Sequence, residues 1–185
     1  MKKTVLVFLA DGFEEVEAVT PVDFLRRAGV EVMTVGVEGS KTVTGSHGVP
    51  VVADRTILEI GFLPYDAVIL PGGMPGSANL AASGRAGSLV REAVVKGKLV
   101  AAICAAPAVV LAPLGILAGK TYTCFPGMEK DVCGATWVAD DVAVDGNIIT
   151  SRGAGTAALF ALAVIEYLLG REAAEKIGKA TLVLR

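Results

Sequence analysis

Short, wholly apolar runs alternate with longer amphipathic stretches along this chain. Thr4–Ala10, Val30–Val37, Ala67–Leu70 and Leu99–Ile103 are too short and too uniformly apolar for helices and read as buried strands. Between the first two, Glu14–Ala28 has a helical pattern that Gly29 closes. Helical pattern returns over Gly84–Val95, and an Ala- and Leu-rich helix is predicted from Thr156 to Leu169, stopping at Gly170. Val-rich pieces between Thr42 and Ala53, split by Gly45-Ser46-His47-Gly48, predict an appended hairpin. Thr121–Cys124 predicts a further strand. Val142–Val144 and Ile148–Thr150 flank Asp145-Gly146, a strong hairpin turn signal. This alternation predicts an α/β doubly wound sandwich with a mostly parallel central sheet, one domain over residues 1–185. Ligands of such sheets bind beyond the carboxyl ends of the strands. The loops Asp11–Glu17, Pro71–Gly76 and Cys104–Pro107 are therefore expected to meet.

Composition agrees with that architecture. The chain is 53% hydrophobic but only 5% aromatic, so its apolar mass is Ala, Val and Leu, as a sheet covered on both faces requires. The net charge of −2 and the lack of any long basic run give no sign of a nucleic-acid footprint. No stretch reaches about 18 apolar residues without a polar break, which argues against a transmembrane helix. The apolar part of the Met1–Ala10 segment is short and runs straight into Asp11-Gly-Phe-Glu-Glu, so it reads as a first strand and turn rather than a signal peptide. Three cysteines, an odd number without metal-type spacing, point to a reducing cytoplasm.

Chemistry concentrates at Cys104. It falls between the strand Leu99–Ile103 and Pro107, which suits the first turn of a helix. Ala102 and Ala106 are the small residues that a sharp nucleophile turn needs two before and two after its centre. A thiol at a helix N-terminus is favoured as the thiolate; a buried cysteine acting as a small hydrophobe is the plain alternative. Glu14, Glu15 and Glu17 open the first helix, where acidic residues also simply complement the dipole. Pro21 removes the hydrogen bond to the Glu17 carbonyl, a local break beside which a buried carboxyl can sit. Desolvation would keep Glu17 protonated and able to donate to a thiolate or act as general acid and base. Gly72 and Gly73, in Pro71-Gly-Gly-Met-Pro-Gly76, offer backbone N–H groups for an oxyanion hole with the Ala105 N–H, or a turn and nothing more. Neither dinucleotide nor P-loop spacing is present. His47, the only histidine, reads either as a solvated loop residue or as the one partner a Cys–His pair can use. Arg152 can bind an anionic or carbonyl substrate, or be a surface residue.

Taken in order, these segments resemble the ThiJ/PfpI superfamily in its Parkinsonism-associated deglycase branch. The resemblance runs through Val5–Ala10, Gly12–Ala18, Pro21–Gly29, Tyr65–Gly73, Ala101–Pro107 and Thr150–Thr156. It implies a flavodoxin-like sandwich and a homodimer, with Arg26 and Arg27 near the dimer contact. It also implies that Cys104 is an oxidation-sensitive nucleophile, Glu17 the protonated carboxyl that bonds it, Gly72 and Gly73 the backbone cradle, and Glu14 an acidic position near the pocket. The activity implied is glyoxalase III-type or deglycase-type, a lyase or hydrolase acting on α-oxoaldehydes such as methylglyoxal or on early glycation adducts, without metal or nucleotide cofactor. The alternative is a redox-sensing or chaperone-like stress protein whose Cys104 is oxidised. Two departures stand out. Phe125 precedes Pro126 where many members carry histidine, so Glu17 alone is left to move protons, unless His47 serves across a dimer. Ala105 follows Cys104 where peptidase-like relatives have histidine, which excludes an adjacent Cys–His dyad.

Overall fold

The computed structural model describes residues 2–61 and 63–184. Its strands are β1 (Thr4–Leu9), β2 (Glu31–Gly36), β3 (Thr42–Thr44), β4 (Pro50–Val52), β5 (Arg55–Thr56), β6 (Ala67–Leu70), β7 (Leu99–Ile103), β8 (Thr121–Tyr122), β9 (Thr136–Trp137), β10 (Val142–Asp145) and β11 (Ile148–Ser151). Its α-helices are α1 (Glu15–Arg27), α2 (Gly76–Ala82), α3 (Gly84–Val95), α4 (Ala157–Leu169) and α5 (Arg171–Ala180). Seven strands form one sheet in the order β10-β11-β7-β6-β1-β2-β5, parallel throughout except for the β10–β11 hairpin at one edge.

The apolar runs are continuous because both faces of the sheet are covered. Val5, Val7 and Leu9 of β1 point into a core shared with Phe24 and Leu25 of α1, Phe160 and Ile165 of α4, and Ile177 of α5. Leu6, Phe8 and Ala10 point the other way, against Leu80 of α2 and Leu89 and Val90 of α3. Successive strand side chains alternate sides, so a strand buried on both must be apolar at every position. Arg26 clamps α1 to the sheet edge: its guanidinium donates to Val32 O at 3.1 Å and to Asp54 Oδ2 at 3.0 Å, and that oxygen also accepts the Thr34 N–H and hydroxyl.

The expected appended hairpin is present as β3–β4, a two-stranded antiparallel sheet of its own. Other expectations need correction. The strand expected over Thr121–Cys124 is only Thr121–Tyr122, paired in parallel with β9, because Thr123 turns away to donate its N–H to Thr150 Oγ1. Pro107 opens a π-helical turn, Pro107–Leu111, and not an α-helix. Helices α2 and α5 were not expected. Helix α1 runs unbroken through Pro21, which is buried within it. Among the described residues no helix is long and apolar enough to cross a membrane.

Phe160 is fully buried between α4 and the sheet. Phe160→Ala is expected to lower the unfolding free energy by about 3–5 kcal/mol in urea titrations, with the fold retained. A loss below about 1 kcal/mol would mean that this side of the core is not close-packed.

Candidate active site

The parallel strands β2-β1-β6-β7-β11 follow a flavodoxin-like order, in which the direction of winding reverses between β1 and β6. The segments leaving β1, β6 and β7 converge there. Cys104 leaves β7 with φ of +64°, a conformation that side chains other than glycine rarely adopt. The backbone holds it from both sides: the Cys104 N–H donates to Ser151 O at 2.9 Å, and the Cys104 carbonyl accepts the Phe125 N–H at 2.8 Å. Ala102 and Ala106, each fully buried, fill the space beside this turn.

Glu17, on the first turn of α1, is 1% exposed and within hydrogen-bonding reach of the Cys104 thiol. Gly72 lies between them. Its N–H donates to Glu17 Oε2 at 2.9 Å, and a Cβ there would stand 2.5 Å from Cys104 Cβ and 2.6 Å from Glu17 Oε2. Any side chain at position 72 would drive the pair apart. Gly72 thus positions the carboxyl, and its N–H is not free to meet a substrate oxygen. The N–H groups of Gly73 and Ala105 favour negative charge on the Cys104 sulfur instead.

Burial raises the Glu17 pKa to about 7, against the hydrogen bonds from Cys104 and Gly72, and the Glu14 charge adds to the rise. Burial also pushes the Cys104 thiol up to about 12, helped by the charge of Glu17 and by the hydrogen bond with it, while the Gly73 and Ala105 N–H groups pull it down. Burial and the neighbouring carboxyl therefore oppose the thiolate that a helix end favours, and a thiolate forms here when Glu17 holds the proton the two groups share.

The other candidates fall around this pair. Arg152 and Phe125 line a groove of 360 Å³ with Pro126, Asp141 and Gly153. Gly153 joins the groove to the pair, since a Cβ on it would lie 4.0 Å from Cys104 Sγ and 3.9 Å from Glu17 Oε1. Arg152 donates to Ala139 O at 3.4 Å and lies 3.9 Å from Asp141. Glu14 donates its backbone N–H to Gly72 O at 3.0 Å, and its carboxylate turns outward to Ser46. His47 is exposed, with Nδ1 2.9 Å from Glu15 Oε2 and 3.1 Å from Ser46 Oγ, and Glu14 nearby. Two concavities of 520 and 530 Å³ lie elsewhere and contain neither Cys104 nor Glu17. Cys124 is fully buried in the core on the α3 side, and Cys133 is exposed.

The pattern of the DJ-1/PfpI family matches residues 3–167. The Drosophila melanogaster protein dj-1beta is 42% identical over 185 residues, spanning 99% of this chain and 98% of that protein. The Danio rerio Parkinson disease protein 7 homolog is 41% identical over 187 residues, spanning 99% and 98%. Among solved structures, oxidized Toxoplasma gondii DJ-1 superimposes with a TM-score of 0.95 at 39% identity over 97% of this chain and 98% of that one. Drosophila melanogaster DJ-1beta gives 0.95 at 41% identity over the whole of both chains.

In the unfolded chain a glutamate loses its proton near 4.5, whereas Glu17 keeps it in the fold to about 7. Between these values the folded state holds the extra proton. The stability Glu17 contributes is thus complete below 4.5 and is lost as pH rises to 7. Glu17→Gln removes that slope. Its unfolding free energy should gain on that of the wild type between pH 4.5 and 7.5 by on the order of 2–3 kcal/mol in urea titrations. A difference independent of pH would mean that Glu17 is not a raised carboxyl.

Proposed function

The chain belongs to the DJ-1/PfpI family, and on that premise we propose a cysteine-dependent enzyme that converts α-oxoaldehydes such as methylglyoxal, or their early glycation adducts, to hydroxy acids. The hydrogen-bonded Glu17–Cys104 pair beneath the Gly73 and Ala105 N–H groups carries this reading.

Ionised Glu17 takes the thiol proton as Cys104 Sγ bonds to the aldehyde carbon, and the carbonyl electron pair moves to oxygen under the two N–H groups. Protonation of that oxygen gives a hemithioacetal. Glu17 then removes the hydrogen of the same carbon and returns a proton to the neighbouring carbonyl carbon through an enediol, leaving a thioester of the hydroxy acid. Water cleaves the thioester and restores the thiol. The sum is one aldehyde and one water to one hydroxy acid, with no external oxidant. A carboxyl titrating near 7 suits both directions of transfer. Phe125 adds no titratable group, so every proton passes through Glu17. Arg152, at the edge of the adjoining groove, is assigned the distal oxygen or anionic group of a substrate.

A homodimer in the cytoplasm fits this reading. Val16 and Val19 of α1 and Val49 and Val52 of the hairpin are about half exposed or more, and Val19 and Val52 line one apolar concavity between helix and hairpin. His47 stands on the same hairpin, which supports a place for it near a partner's pocket.

A second reading, redox sensing in a stress-related protein, is favoured by the contrast among the thiols. Cys104 is partly exposed and beside a proton acceptor, whereas Cys124 is sealed in the core.

Lactate formation from methylglyoxal without glutathione tests the first reading: the wild type should turn over, and Cys104→Ser should fall by at least about a thousandfold (roughly 4 kcal/mol in the barrier). Retained activity in the variant would overturn the nucleophile assignment. For the second reading, mass spectrometry after substoichiometric peroxide should find sulfenic or sulfinic acid on Cys104 ahead of Cys124 and Cys133. Equal oxidation of all three would overturn it.

A further inference from the structure

Phe125 differs from the buried phenylalanines of the core. Phe8, Phe13, Phe24 and Phe160 are buried, whereas Phe125 is 50% exposed. Its backbone is anchored on both sides: the N–H donates to the Cys104 carbonyl at 2.8 Å, and the Phe125 carbonyl accepts the Met128 N–H at 3.1 Å. The hydrogen bond that holds the turn at Cys104 thus also sets where this ring stands. A single exposed apolar residue means little by itself. Its surroundings give this one a meaning.

A Cβ on Gly153 would lie 3.6 Å from Phe125 Cδ2, 3.9 Å from Glu17 Oε1 and 4.0 Å from Cys104 Sγ. Ring, carboxyl and sulfur therefore border one gap, and any side chain at position 153 would project into it. Gly153 is extended, with φ of 166°, a conformation open to every residue. No backbone demand explains the glycine; its missing side chain keeps the gap clear.

The gap opens into the groove of 360 Å³. The polar groups of the turn beneath it are satisfied internally. The Thr156 hydroxyl accepts the Gly153 N–H at 3.2 Å and lies 2.7 Å from Ser151 Oγ, and the Thr156 N–H donates to Gly153 O at 2.8 Å. Arg152 and Asp141 lie 3.9 Å apart and offset each other's charge. What is left to meet a ligand next to the sulfur is Phe125, Pro126, Ala154 and Gly155. That is one aromatic ring among small or apolar neighbours. Methylglyoxal would place only a methyl group there and leave most of the groove to water.

We propose that Phe125 is a specificity-determining residue: the groove beside it holds the aromatic substituent of the carbonyl compound that Cys104 attacks, so that aryl α-oxoaldehydes are preferred to methylglyoxal. The inference rests on the reaction proposed above. The aldehyde carbon still bonds to Sγ and the same proton transfers follow. The substituent on the neighbouring carbonyl carbon makes and breaks no bond. It lies against Phe125, offset or edge to face, and both rings leave water.

The test compares kcat/KM for mandelate formation from phenylglyoxal with that for lactate formation from methylglyoxal. The ratio of the two should be about tenfold or more higher in the wild type than in Phe125→Ala, as loss of an aromatic contact and of buried carbons predicts. Phe125→Tyr should restore most of it. An equal ratio in wild type and Phe125→Ala, with both aldehydes converted, would overturn the proposal and leave the reaction standing. Labelling of Cys104, followed by mass spectrometry, reads the groove without turnover. The rate with N-phenyliodoacetamide relative to iodoacetamide should drop several-fold in Phe125→Ala. If neither aldehyde is converted, the proposed reaction fails and labelling alone decides: a drop supports the aryl groove, and an unchanged ratio overturns it.

Discussion

Two acidic groups, a carboxyl and a thiol, are buried against each other where the winding of the sheet reverses, and they cannot both be ionised there at modest cost. Desolvation opposes either charge, and each charge opposes the other. Glu17 comes from α1, Cys104 from the end of β7, and Gly72, which separates and orients them, from the end of β6. Three chain segments remote in sequence thus hold one proton between two atoms. The register of β1, β6 and β7 is as much a part of the site as the side chains.

The strained backbone at Cys104 follows from the same requirement. Left-handed φ at a residue with a side chain costs of order 1–3 kcal/mol and persists only where the surroundings over-determine it. Here β11 accepts the Cys104 N–H and the segment after β8 donates to its carbonyl, so the turn is held at both ends of the residue. The strain points the thiol away from the strand axis and toward the carboxyl. A cysteine following its strand in extended geometry would place Sγ against one face of the sheet, among the apolar side chains.

Most of this was legible in the sequence where burial alone determines the pattern. Strands covered on both faces must be apolar throughout, which is why β1, β6 and β7 stand out; the turn at Cys104 was marked by Ala102 and Ala106. Helix α2 was not legible, because Gly76-Ser-Ala-Asn carries loop residues and its start has no side-chain cap. Helix α5 was missed because Gly170 closes α4 immediately before it and its apolar residues are few. The charge balance at Cys104 is a matter of magnitudes that the local sequence does not carry. A helix N-terminus stabilises an anion by at most about 2 kcal/mol, roughly one and a half pKa steps. That is too little to offset burial beside a carboxyl, and the turn that follows is π-helical and not a regular helix end. The role of Gly72 was out of reach, since only the folded distances show that its N–H is taken by Glu17.

The segment Glu14–Glu17 shows how one residue type serves opposite ends. Burial is the largest influence on Glu15 and raises its pKa, but hydrogen bonds from the His47 ring, its own backbone, and the His47 and Val49 N–H groups together bring it down to about 2. Two residues on, Glu17 is much more deeply buried, has fewer compensating donors and rises to about 7. Glu15 is therefore a fixed charge that anchors the hairpin, and Glu17 is a proton carrier. Glu14 stands between the two environments: its carboxylate joins the Ser46–His47 cluster, and its charge is among the causes that raise Glu17. Whatever changes the charge around the exposed cluster acts on Glu14 first, and through it on the proton shared with Cys104.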